Sequence, residues 1–140
     1  MKEIGILNRD ISAVISQLGH QDEMILCDAG FAIPSHIPVV DVSIDENVPR
    51  VEELLKVIQR YFSIEGAIVA NEFVVKNPSK AEAIRNQLGE NVAWSTIDHA
   101  ELKQRSKMVK AVIRTGDFTA YSNVLLVSGP GERWYVECPE

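Results

Sequence analysis

The apolar positions of this 140-residue chain change their period along its length. Ile11, Val14, Ile15 and Leu18 recur at i, i+3, i+4 and i+7, which predicts an amphipathic helix stopped by Gly19. The pattern then becomes short and continuous. "MILC" (24–27) and "VVDVS" (39–43) predict strands separated by a loop holding Pro34 and Pro38. Val51, Leu54, Leu55, Ile58 and Phe62 restore the helical period, with Pro49 expected in the first turn. "GAIVA" (66–70) has the unbroken apolar run of a strand covered on both faces.

The second half repeats the alternation. Asn77-Pro78 predicts an N-cap with proline at the first helical position, opening a helix that closes at Gly89. "VAWSTI" (92–97) predicts another strand. Asp98 and Glu101 suggest a variant capping box for a helix running to about Met108. "KAVIRTG" (110–116) and "NVLLVSG" (123–129) complete the strands, and "WYVEC" (134–138) is a further candidate. Strands alternating with helices define the class: a single α/β domain over 1–140, with a mainly parallel sheet flanked by helices.

The bulk properties narrow the partners. A formal charge of −6 with scattered basic residues argues against nucleic acid and anionic membrane surfaces. No apolar stretch approaches the roughly 20 residues of a bilayer span. Asn8, Arg9 and Asp10 interrupt what would be a signal-peptide core. Cys27 and Cys138 match no metal or redox spacing, and a disulfide between them is neither indicated nor excluded. A reduced, cytoplasmic setting fits this usage.

Candidate chemistry collects at chain breaks. His20 follows the helix stop, and its imidazole can take or give a proton near neutrality. Spacing alone fits an exposed capping histidine better. Asp28 ends the "MILC" strand, where open α/β sheets bind ligands, although Asp-Ala-Gly is equally a self-bonded turn. His99 falls in a first helical turn, suited to a neutral hydrogen-bonding ring or simply to a surface position. Tyr121, Ser122 and Asn123 enter the last strand, where polar side chains can read hydroxyls or merely shape a turn. His36 lies between two prolines and has no expected role. The histidines, 16 and 63 positions apart, share no element, so no metal site is expected. "SGPGERW" lacks the Lys-Ser/Thr of a phosphate loop, and there is no GxSxG elbow.

Taken together, "GILNRDISAVISQLGHQDEMILCDAGFAIP", "VVDVSIDENVP", "AIVANEF" and "AVIRTGDFTAYSNVLLVSG" resemble the D-ribose pyranase family, within the ribose and fucose mutarotase superfamily. The resemblance spans nearly the whole chain in the family's order. It implies an isomerase of carbohydrate metabolism, working without cofactor or metal, that interconverts the pyranose and furanose forms of D-ribose. It implies His20 as the catalytic acid/base, with Asp28, His99, Tyr121, Ser122 and Asn123 binding the sugar. It further implies a cytoplasmic homodecamer of two stacked pentameric rings, with sites built at subunit contacts. An L-fucose mutarotase and a non-catalytic sugar-binding or transport-accessory protein are the alternatives. The tail "GPGERWYVECPE" is longer than the family's usual ending.

Overall fold

The computed structural model describes residues 1–138. Pro139 and Glu140, the end of the expected domain and tail, lie outside the described residues.

Helix α1 (Arg9–Gln17) is opened by Asn8, whose side-chain oxygen accepts from the Asp10 and Ile11 N–H groups. Capping here is local, because Asn accepts well at this position. Strand β1 (Glu23–Cys27) follows, then β2 (Val39–Asp41), α2 (Val51–Gln59) and β3 (Ile64–Ala70). The remaining elements are α3 (Asn71–Lys76), α4 (Pro78–Leu88), β4 (Ala93–Ile97), α5 (His99–Arg105), β5 (Ala111–Arg114) and β6 (Val124–Ser128). A single 3₁₀ turn, Ser106–Met108, extends α5 to the expected end.

The six strands form one sheet in the order β2-β5-β1-β6-β3-β4. Three of the pairings are parallel, and β6 alone runs against both its neighbours. The sheet is therefore mixed, with five strands pointing one way. Successive residues Met24 to Cys27 of β1 are all inaccessible, so both faces of the centre are covered. Leu55 and Ile58 of α2, Phe73 of α3, Ile84 of α4 and Leu102 of α5 are fully buried in the same core.

Several expectations are corrected. Pro49 precedes the N-cap Arg50 and is not in the first turn of α2; the Val51 N–H goes to Asp117, and Glu53 accepts from the Arg50 N–H. Phe62 lies past the end of α2. Asn77 makes no side-chain cap, because its amide donates to the Ala120 carbonyl 2.8 Å away. Asp98 and Glu101 form no capping box. Asp98 accepts from Asn71, and Glu72 of α3 receives the His99 N–H at 2.8 Å. Residues 134–138 form no strand. Past β6 the chain runs through Gly129, Pro130 and Gly131, a segment with one N–H missing and no neighbouring strand to pair with.

Candidate active site

The five strands that share a direction end at Cys27, Asp41, Ala70, Ile97 and Arg114, and Asn123 enters β6 at that same end. Ligand clefts in open α/β sheets form outside these carboxyl ends. Here the cleft measures about 540 Å³ and is lined by Asp28, His99, Lys103, Asp117, Tyr121 and Asn123 among others. Phe31 and Phe118 add apolar wall.

Asp28 follows directly from β1 and is nearly buried. Its Oδ1 accepts from the Gly30 N–H at 3.0 Å, the self-bonded turn, while the residue also lines the cleft at the carboxyl end of β1. Burial pushes its carboxyl above the ordinary carboxylate range, against the opposing hydrogen bond from the Gly30 N–H. Asn123 Oδ1 accepts from the Asp28 N–H at 2.9 Å, which fixes the amide orientation. Its Nδ2 is buried and has no partner among the described residues, as is His99 Nδ1. The His99 ring stands edge-on to both Phe31 and Tyr121, with centroids 6.2 and 5.0 Å apart. Two buried polar atoms left open beside a carboxylate and an aromatic ring suit a small polyhydroxylated ligand.

The loop that presents Tyr121 is held hard. Tyr121 sits at φ +64°, a left-handed conformation that bulky residues rarely adopt. Ser122 is fully buried, and its Oγ donates to the Thr119 carbonyl at 2.7 Å, so its side chain holds the turn and does not line the cleft. Beneath it lies Asp117, fully inaccessible, ion-paired to Lys80 and accepting from the Val51 and Thr119 N–H groups. Burial pushes the Asp117 carboxyl up, but Lys80 and those N–H groups outweigh it and hold it below the ordinary range. Lys80 also reaches Glu52 at 3.1 Å. Cys27, by contrast, has its thiol pushed up to about 12, chiefly by burial, and is inert. No cluster of metal-ligating side chains occurs among the described residues.

His20 lies elsewhere. It occupies a turn closed by the Asp22 N–H on the Gly19 carbonyl, with Gln21 at φ +68° bonded to the Ser128 carbonyl. That turn precedes β1, so the five residues of the strand, roughly 16 Å at 3.3 Å each, separate His20 from Asp28. A second cavity of about 440 Å³ surrounds it, lined by Leu18, Tyr61, Phe62, Ser128 and Trp134 among others. Its Nε2 is 3.1 Å from Glu65 Oε2. One copy of the chain thus brings Asp28, His99, Tyr121 and Asn123 together and leaves His20 at the opposite end of the sheet.

Residues 1–130 match the model of the RbsD / FucU transport protein family. The chain belongs to this family. Family membership covers every site residue named above except Trp134, since the tail from 131 onward lies beyond the matched span. A D-ribose pyranase of Thermosipho africanus is 44% identical over 129 residues, covering 92% of this chain and 98% of that protein. A D-ribose pyranase of Kosmotoga olearia is 42% identical over 130 residues, with the same coverage. Among solved structures, Bacillus subtilis RbsD complexed with D-ribose is similar with a TM-score of 0.89 and 33% identity, covering 93% of this chain and 98% of that one. The fucose mutarotase of Streptococcus pneumoniae, solved with L-fucose, shares the fold at a TM-score of 0.67 and 18% identity, covering 89% of this chain and 94% of that one.

Lys103, Asp117 and Glu65 had no signal as single residues in the sequence. Lys103 could have been found from His99, because a residue four positions on shares its helix face. Asp117 and Glu65 are brought into place only by the tertiary fold.

Proposed function

We propose that this chain is a sugar-ring isomerase that interconverts the pyranose and furanose forms of D-ribose. The observation that carries the reading is the cleft floor: the open His99 Nδ1 and Asn123 Nδ2 beside the buried Asp28 carboxyl. Relatives matched over nine-tenths of the chain are D-ribose pyranases, and the cleft residues all lie inside the matched span.

The chemistry needs only proton movement and grip. Opening the pyranose removes a proton from the anomeric hydroxyl, breaks the bond between the anomeric carbon and the ring oxygen, and delivers a proton to that oxygen. The free aldehyde then turns and accepts a different hydroxyl. His20 serves as acid and base in these transfers. Asp28, His99, Tyr121 and Asn123 hold the hydroxyls, and the backbone at Ser122 completes the grip. Acid–base help of this kind is worth about 10²–10⁴-fold.

His20 and the cleft are too far apart in one copy to share one sugar, so the site is composite. His20 of one subunit meets the cleft of a neighbour in a cytoplasmic homo-oligomer, arranged as the stacked pentameric rings that the family resemblance implies. A heterologous contact of this type closes into rings when its rotation permits.

Saturation-transfer NMR on D-ribose tests the reading. The wild-type protein is expected to accelerate exchange between pyranose and furanose signals, and His20→Ala to abolish the acceleration while ribose still binds. Acceleration for L-fucose anomers but not for ribose rings would replace the substrate. Ribose binding with no exchange would make the protein a sugar-binding module.

A further inference from the structure

The function proposed above gives His20 its task but leaves open which ring nitrogen performs it. Three independent features of the fold converge on Glu65. The register of β3 against β6 slips between Ile64, opposite Ser128, and Gly66, opposite Val127. Glu65 is therefore the extra residue of a β-bulge, the device by which a strand re-aims one side chain near its end. Its carboxylate reaches His20 Nε2 at 3.1 Å across 45 residues of sequence. Opposite it stands Gly129, where a Cβ would fall 2.3 Å from Glu65 Oε2 and 2.5 Å from Glu65 Cβ. Only glycine at 129 leaves room for the carboxylate to lie where it does.

We infer that Glu65 is the positioning residue of His20: its carboxylate holds the ring as the tautomer with hydrogen on Nε2 and turns Nδ1 toward the sugar. An ionised carboxylate is an acceptor only, so the nitrogen facing it must carry the proton. The lone pair is left on Nδ1. Nδ1 takes the proton of the anomeric hydroxyl as the carbon to ring-oxygen bond breaks, then returns that proton to the departing ring oxygen. During the transfer the imidazolium is flanked by the Glu65 carboxylate, and no second base is required. Glu65 touches no reacting atom and acts through His20 alone.

The claim rests on the pyranase reading for its kinetic arm and on geometry for its spectroscopic arm. Glu65→Gln keeps size and hydrogen-bonding reach but offers a donor as well as an acceptor, so the ring loses its single tautomer. Its kcat for ribose ring exchange is expected to fall about 10-fold to 100-fold, with KM within twofold of wild type. The ¹⁵N spectrum of His20 is expected to change from one Nε2–H tautomer to a mixture. Added to His20→Ala, Glu65→Gln is expected to cost nothing further, because the two act as a unit. Gly129→Ala displaces the carboxylate from the other side and should reproduce the kcat loss with KM intact, which keeps the claim testable if Glu65→Gln folds poorly. An unchanged kcat with an unchanged His20 tautomer in Glu65→Gln would overturn the assignment. Absence of exchange in the wild type would overturn the pyranase reading instead, and the ¹⁵N spectrum would then decide the role of Glu65 by itself.

Discussion

Asp28 shows how the cleft sets grip against stability. Its carboxyl is raised by burial, so the folded protein holds the ionised form at a cost. The stability it offers is complete below the unfolded carboxyl value of about 3.9 and is lost as pH rises through the raised folded value. Above that raised value the cost is present in full. Asp28→Asn keeps an acceptor for the Gly30 N–H and removes the buried charge. It is expected to melt at the same temperature as wild type or higher, while KM for ribose rises about tenfold to a hundredfold from the lost charged hydrogen bond. Calorimetry beside ring-exchange kinetics checks both halves, and a lower melting temperature would contradict the reasoning. Much at this scale was legible from local sequence. Asp28, His99, Tyr121 and Asn123 all stand at strand or helix ends, where chain direction alone points a side chain at a cleft. The role of Ser122 was not legible. Whether a hydroxyl faces the ligand or the Thr119 carbonyl depends on a left-handed turn that nothing in "TAYSN" dictates.

The loop from β5 to β6 depends on elements remote in sequence. Lys80 of α4 and the first turn of α2 meet on Asp117, fixing the base of the segment that ends in Tyr121. Because its carboxyl is depressed in the fold, Asp117 contributes stability that is present above about pH 4 and lost as pH falls through the folded value. Lys80→Met leaves Asp117 buried without its cation, at a cost of about 3 kcal/mol at pH 7. The gap to wild type should close as pH drops below about 4; thermal unfolding from acid to neutral pH tests this, and a constant gap would refute it. Gly116 belongs to the same construction. A Cβ there would lie 2.3 Å from the Asp45 carbonyl oxygen and 2.6 Å from that of Val48. Both are backbone atoms, so Gly116→Ala should destabilise by more than about 2 kcal/mol in urea denaturation at matched protein concentration. Periodicity located nearly every element, since the apolar faces are what the core selects. It missed α3, whose six residues bury only Phe73 and show less than two turns of pattern. It also placed caps locally at Asn77 and Asp98, where the fold redirects both side chains and supplies the α5 end with Glu72 instead.

At the scale of the whole molecule, the sheet itself separates His20 from the cleft around Asp28. His20 precedes β1 and the cleft follows it, an arrangement set by chain direction and immune to side-chain adjustment. The sequence placed both residues in one short stretch and could not reveal that a strand would hold them apart. In the composite site proposed above, a second copy would resolve this, each site taking His20 from one subunit and Asp28 from the next. The prediction concerns mixtures of two variants, His20→Ala and Asp28→Asn. Each alone should be nearly inactive in ribose ring exchange at limiting sugar. When the two are denatured together in equal amounts and refolded as hybrid rings, about a quarter of the sites recover an intact His20 beside an intact Asp28. Saturation-transfer NMR on that mixture is the most direct test of a composite ribose-ring isomerase. Recovery to about a quarter of wild-type exchange is the predicted result, and activity no greater than the mean of the two separate variants would contradict it.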